Sequence, residues 1–308
     1  MKVLVAGATG AIGKPLLGCL RAAGHELFAL VRSPDRTGAL AAAGADEIVA
    51  DALDHDSVLE AVRHVRPDAI INELTSLPKH YTPEDMKAAA PRDKEVRVNG
   101  NANLLAAARA ANCPRYLLQS TGFWYAPGEG LADEAAPFAF DASPGIAAGC
   151  RTYADLESAA QQSGVQVVLL RYGFFYGPGT WFTKEGDVGE QVRRGEFPVI
   201  GKGQGFWNWV HINDAAAATC AALTADPGVY NVVGDQPVAQ SVWLPAFAEF
   251  VGAPPPPTVS EEQALRSAGP DSVFYATKLR GASNDKAKRQ LAFRPRSLEW
   301  LRSASAIH

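Results

Sequence analysis

The sequence predicts an α/β fold, a parallel sheet doubly wound by helices, with a smaller lobe at its C-terminal end. Three observations carry that prediction. Short apolar runs alternate with helix-length patterns over residues 1–172. The runs are continuous rather than alternating, as in strands buried on both faces. Beyond residue 179 the alternation weakens and aromatic residues gather.

The first run, residues 1–6, is centred on Val3, Leu4 and Val5 and reads as a buried strand. Gly7-Ala8-Thr9-Gly10-Ala11-Ile12-Gly13 follows at once. Pro15, Leu16, Leu17, Cys19 and Leu20 then give a helical pattern that stops at Gly24. Strand, glycine turn and helix together are the setting of a dinucleotide site. Gly7 permits the tight turn, Gly10 lets the backbone approach a pyrophosphate, and Gly13 lets helix and strand pack closely. The helix N-terminus presents N–H groups and partial positive charge to the phosphates. A second strand, 26–31, ends in Val31-Arg32-Ser33, with Arg36 just beyond. An acidic residue there would hold a ribose 2′-hydroxyl, whereas a guanidinium suits a 2′-phosphate. NADP(H) is therefore expected over NAD(H), with Arg32 as the discriminating residue.

A third strand at 47–50 leads into Asp51-Ala52-Leu53-Asp54. A carboxylate there can accept from an adenine amino group, or Asp54 or Asp56 can cap the next helix. A fourth strand at 69–72 is flanked by Glu73-Leu74-Thr75. Residues 77–92, with Pro78, Pro83 and Pro91, read as polar and irregular. Residues 96–111 form an alanine-rich helix containing Asn99. A fifth strand at 115–119 runs into Ser120-Thr121-Gly122-Phe123-Trp124-Tyr125, followed by a loop over 126–149. The helix at 151–162 carries Tyr153 and Glu157 on one face. A sixth strand at 165–171 precedes Tyr172-Gly173-Phe174-Phe175-Tyr176-Gly177. Residues 210–214 open another helix, 229–233 form one more strand, and the prolines at 254–257 make a stiff connection.

Bulk properties narrow the function. The chain has 308 residues, 47% hydrophobic and 20% charged, with a net charge of −4 and no long charge run. Neither nucleic acid nor a membrane surface is an expected partner. The small-apolar stretch 215–223 is too short to span a bilayer. The apolar run after Lys2 belongs to the glycine motif rather than to a signal peptide. Cys19, Cys113, Cys150 and Cys220 are scattered without pairing or metal spacing and read as reduced thiols of a cytoplasmic protein. The histidines show no ligand spacing, so no metal is expected.

As a set these residues resemble the extended, epimerase/dehydratase-like branch of the short-chain dehydrogenases/reductases. The resemblance runs through the Gly7–Gly10–Gly13 spacing, residues 51–54, Ser120-Thr121, Tyr153, residues 171–179 and residues 210–214. It extends to the closing Asn284-Asp285-Lys286-Ala287-Lys288, Leu291 and Pro295. It implies a Rossmann-type domain over 1–172 plus 210–235, a substrate-binding domain over 173–209 plus 236–308, and a cleft between them. It implies cofactor contacts from Gly7, Thr9, Gly10, Ala11, Ile12, Gly13, Arg32, Asp51, Ala52, Leu53, Leu74, Thr75, Asn99, Tyr153, Tyr172, Phe174 and Phe175. Thr121 and Tyr153 match the family's catalytic positions. Helices 96–111 and 151–162 match those that form a homodimer contact in related members.

Two departures from the family's pattern matter. Its Tyr-x-x-x-Lys is here Tyr153-Ala154-Asp155-Leu156-Glu157. Glu157 can accept from ribose hydroxyls, but its charge raises a neighbouring phenol's pKa. Members that act on nucleotide sugars carry an Arg that grips the substrate pyrophosphate, and Trp207 stands at that position. The expected activity is NADPH-dependent reduction of a ketone or aldehyde of an apolar or aromatic small molecule. Thr121, Tyr153 and Glu157 would be catalytic, with Phe123, Trp124, Trp181 and Trp207 lining the substrate. The alternatives are an NAD(P)-dependent epimerase or dehydratase of a sugar, and an NADP(H)-binding sensor without turnover.

Overall fold

A computed structural model describes residues 1–304. The sheet begins with β1 (Lys2–Ala6), α1 (Gly13–Ala22), β2 (Glu26–Val31), α2 (Ala39–Ala42) and β3 (Ala45–Val49). It continues through α3 (His55–Val65), β4 (Ala69–Asn72), α4 (Pro83–Glu95), a π-helical turn (Val96–Gly100), α5 (Asn101–Ala110) and β5 (Arg115–Thr121). Then come α6 (Pro144–Gln161), β6 (Gln166–Tyr172), β7 (Phe174–Tyr176), α7 (Asp187–Arg193), β8 (Val199–Ile200), β9 (Phe206–Trp207) and β10 (Trp209–His211). The chain next forms α8 (Ile212–Ala222), β11 (Gly228–Val232), β12 (Val238–Ala239), α9 (Gln240–Phe250) and β13 (Thr258–Val259). It closes with α10 (Glu261–Ser267), α11 (Gly269–Thr277), α12 (Asp285–Gln290) and α13 (Glu299–Ala304). His308, counted among the sequence's histidines, lies outside the described residues.

Seven strands form one parallel sheet in the order β3-β2-β1-β4-β5-β6-β11. This is the Rossmann-type, doubly wound arrangement that the continuous apolar runs predict. Winding runs outward from β1 in one direction and from β4 in the other. The crevice at the carboxyl ends of β1 and β4 is therefore the switch point, where such sheets take their ligands. One sheet face is sealed by Val3, Val5, Leu16, Leu20, Leu117 and Tyr230, the other by Leu4, Val58, Val62, Ile70, Leu104 and Leu118. A third cluster, rich in aromatics, joins Phe174, Phe182, Trp207, Trp209, Trp243 and Phe247.

Local differences from the sequence reading have physical causes. Residues 83–95 are helical rather than irregular. Thr82 caps α4 by accepting from the Asp85 amide, and Pro83 sits in the first turn, where its missing N–H costs nothing. Residues 96–111 are not one α-helix, because the π-helical turn intervenes before α5. Helix α6 starts at Pro144, inside the stretch read as loop, again with proline in the first turn. No described helix is long and apolar enough to cross a membrane.

Gly13 is fixed by packing. A Cβ built on it would lie 2.4 Å from the carbonyl oxygens of both Gly7 and Ala8. Those are backbone atoms of the glycine turn and cannot move aside without deforming it. Gly13→Ala is expected to lower Tm by several degrees, the scale of ~1–3 kcal/mol of strain. It should also weaken dinucleotide binding, which calorimetry with the purified variant would measure.

Candidate active site

The glycine turn builds the floor of the switch-point crevice. Gly7 has φ +90°, and a Cβ there would sit 2.6 Å from the Glu73 carbonyl oxygen at the end of β4. The turn closes through the Gly10 amide, which donates to the Gly7 carbonyl at 3.0 Å. Ile12 precedes α1 without a side-chain cap, and the first turn carries no acidic residue. The helix end is thus open to an anion. Thr9 and Gly10 are exposed, Ala11 is half-buried, and Ile12 is packed into the core.

The other expected cofactor residues surround this floor. Arg32 is exposed at the end of β2. The nearby Asp35 is spent on its own loop: it accepts from the Thr37 amide and hydroxyl and from the Leu40 amide, which hold its pKa at about 2. Asp51 accepts from the Leu53 amide, and Asp54 caps α3. The π-helical turn meets the same edge. A Cβ on Gly100 would lie 3.2 Å from Leu74 and 3.6 Å from Ala52. Asn99 on that turn and Thr75 are exposed. Phe174 and Phe175 divide, as neighbours on a strand do. Phe175 lies against Tyr172 (5.2 Å between centroids) and the sheet core, whereas Phe174 joins the aromatic cluster. These residues fit a dinucleotide, with a turn that excludes side chains and a helix end open to charge.

On the other side of the crevice, Thr121 ends β5 and is 1% exposed, and its buried Oγ1 has no hydrogen-bond partner among the described residues. Such an orphan hydroxyl suits a polar group that arrives with a ligand. Tyr153 is half-buried on α6, edge-on to Trp124 at 5.8 Å. Burial pushes its phenol pKa up; Arg97 opposes, and Asp93 and Glu157 add to the rise. Tyr153 is therefore protonated at neutral pH.

Glu157 faces Arg171 instead of the space expected for the ribose. Arg171 donates from Nε and Nη2 to its two oxygens at 2.8 and 2.6 Å, and the Ser120 hydroxyl donates to Oε1 at 2.6 Å. Arg171 also donates to the Tyr125 hydroxyl and the Glu134 carbonyl, and stacks 4.4 Å from the Phe138 ring centroid.

The aromatic residues sort by depth. Phe123 stacks on Phe174 at 4.1 Å, and the Trp124 indole donates to the Tyr275 hydroxyl at 3.1 Å. Trp181 packs on Tyr81 at 4.9 Å and donates to the Lys79 carbonyl. Trp207, expected as a wall, is only 2% exposed. It lies beneath Phe174 at 4.2 Å and donates to the Tyr275 carbonyl. Sequence reasoning missed Tyr81, Tyr275, Glu73 and Arg97. The last was legible as the partner of Asp93 four residues earlier, had α4 been recognised.

Glu73 is buried beside Gly7. The Tyr172 hydroxyl donates to its Oε1 at 2.9 Å and also bridges to Thr219 at 2.6 Å, while Oε2 has no partner among the described residues. Burial pushes its pKa up to about 8, against the pull of Tyr172 and Arg97.

The chain belongs to the family whose model is described as the NAD dependent epimerase/dehydratase family, which matches residues 3–233. It is thus an NAD(P)-dependent enzyme of the short-chain dehydrogenase/reductase kind, and its cofactor is a nicotinamide dinucleotide. A Streptomyces protein named 3-diazoavenalumate denitrifying reductase is 40% identical over 97% of this chain and 98% of its own length. A 2-alkyl-3-oxoalkanoate reductase of Stenotrophomonas maltophilia is 28% identical over 82% of this chain and 77% of its own. Among solved structures, Thermus thermophilus UDP-glucose 4-epimerase in complex with NAD has a TM-score of 0.70 and 25% identity, covering 97% of this chain and 96% of that one.

Glu73 makes stability depend on pH. Its folded pKa of about 8 lies above the ordinary 4.5, so its contribution is complete below about pH 4.5 and is lost as pH rises to about 8. Glu73→Gln keeps the acceptor for Tyr172 but does not titrate. The variant should gain stability over the unmodified protein between those values, by a few kcal/mol, and the gain should be flat above pH 8. Denaturant melts across that range would measure it.

Proposed function

We propose that this family member is an NADPH-dependent reductase acting on a ketone or aldehyde of an apolar or aromatic small molecule. The observation that carries the reading is the aromatic cluster that Tyr153 joins edge-on through Trp124, continued by Phe123, Phe174 and Tyr275. An uncharged ring suits it better than a diphosphate, and the position of the pyrophosphate-gripping Arg is filled by the core indole of Trp207. Two relatives named as reductases support reduction over epimerisation.

In this reading the first turn of α1 and the glycine turn bind the pyrophosphate, and Arg32 binds the 2′-phosphate. The bound nicotinamide supplies the hydride. Thr121 Oγ1 donates to the substrate oxygen and Tyr153 gives it a proton. Residues 1–172 plus 210–235 hold the cofactor, and residues 173–209 plus 236–308 hold the substrate. Two copies pair through α5 and α6, and the enzyme works in the cytoplasm.

The 40% identical relative favours a second acceptor, an aryl diazonium. There the hydride replaces the diazonium group, a C–H bond forms, the C–N bond breaks and dinitrogen leaves. No proton is required.

Tyr153→Phe should lower carbonyl turnover by ~100-fold or more while the Kd for NADPH barely changes. The same variant should retain its rate on a diazonium, so stopped-flow NADPH oxidation on both substrate classes separates the readings. Arg32→Asp should cut the preference for NADPH over NADH by about tenfold or more, roughly 1.4 kcal/mol. Equal dissociation constants for the two cofactors in the unmodified protein would overturn the NADP assignment.

A further inference from the structure

We propose that Arg97, from the π-helical turn, is a positioning residue that supplies the positive charge beside Tyr153 which the helix carrying Tyr153 lacks. The inference rests on the reading of Tyr153 as the proton donor.

The helix of Tyr153 provides no cation of its own at the next turn, since Glu157 stands there, ion-paired with Arg171. The charge arrives from a neighbouring element. Arg97 is 8% exposed, and its guanidinium carbon lies 5.2 Å from the Tyr153 ring centroid, within cation–π range. Its Nε donates to Asp93 Oδ2 at 2.7 Å, which fixes the guanidinium plane. Asp93 is anchored in turn, because its Oδ1 accepts from the Ser76 amide. The π-helical turn inserts a residue relative to an α-helix and so re-aims what it carries, a device common at functional sites. Arg97 also borders a small cavity with Asn72, Leu74 and Gln119, with room for about one water. The Gln119 side-chain oxygen is buried without a partner among the described residues.

The charged and titratable groups that act on Tyr153 come from several elements. Arg97 favours the phenolate. Asp93 on α4 and Glu157 on α6 oppose it, and Tyr275 on α11 adds a further phenol nearby. Arg97 is thus the cation that works against burial and two carboxylates at the Tyr153 phenol.

The test titrates Tyr153 directly. Fluorotyrosine is placed at position 153 and its resonance followed by fluorine NMR against pH, without cofactor or substrate. Arg97→Met should raise the midpoint by roughly one pH unit or more, a tenfold loss of phenol acidity. Arg97→Lys should restore most of the difference. Asp93→Asn should move the midpoint down, opposite to Arg97→Met, whereas structural damage would move both the same way. An unchanged midpoint in Arg97→Met, or a common direction for the two variants, overturns the proposal. Should Arg97→Met fail to fold, Arg97→Gln, which keeps a polar partner for Asp93, decides in its place: an upward shift supports the electrostatic role and no shift refutes it. The reductase reading fails separately, if no carbonyl or diazonium substrate consumes NADPH.

Discussion

The mutual placement of β5, α6 and β6 at the crevice depends on one buried ion pair, Glu157 with Arg171. Both side chains are under a tenth exposed. Burying two charges is costly unless every donor and acceptor is satisfied. Here the guanidinium has four acceptors or partners: both Glu157 oxygens, the Tyr125 hydroxyl and the Glu134 carbonyl. Ser120 adds a bond to the carboxylate. The pair thereby ties α6 to the ends of β5 and β6 and to the segment after β5. Thr121 follows Ser120 directly, and Tyr153 lies one helical turn before Glu157. The two groups expected to meet the substrate oxygen are set by the same clamp. A lysine at 157 would face Arg171 with no carboxylate between them, so the loss of the family's lysine and the buried Arg171 network belong to one arrangement.

A second constraint lies at Trp207, the position at which the sequence resemblance places a pyrophosphate-gripping Arg in nucleotide-sugar members. Trp207 does not line the cleft; it holds up the floor that Phe174 and Phe123 present to it. The indole N–H is satisfied by the Tyr275 carbonyl, as a buried tryptophan requires. An arginine at that depth would bury an unpaired guanidinium, so recovering a pyrophosphate grip would demand repacking the aromatic core of the smaller lobe.

The fold was legible because its signals are local. Continuous apolar runs mark buried strands, and three glycines at fixed spacing mark the turn after β1. The places of Thr121 and Tyr153 in the fold were legible for the same reason, one at the end of a strand and the other on a helix that the pattern identifies. What was not legible depends on partners distant in sequence. Glu157 is paired with Arg171 on the next strand, so its place in the sequence does not show which way it faces. Trp207 read as a pocket residue because depth is a property of packing. Arg97 was hidden twice. The prolines at 83 and 91 masked α4, and a π-helical turn leaves no periodic trace that would reveal where its side chains point.

In the proposed reading of Tyr153 as proton donor, the charges around the phenol bear on the direction of reaction. With Asp93 and Glu157 nearby, burial leaves Tyr153 a neutral phenol across the physiological range. A neutral phenol can give a proton to a carbonyl oxygen as hydride arrives at carbon. Oxidation of an alcohol asks for the reverse, a phenolate ready to accept, and two carboxylates disfavour that state. Arg97 offsets only part of this bias, because Asp93 already shares its charge through the Nε bond. On that reading the arrangement favours reduction over oxidation at neutral pH. It does so by the balance of charges around one phenol, without a residue devoted to choosing between the two directions.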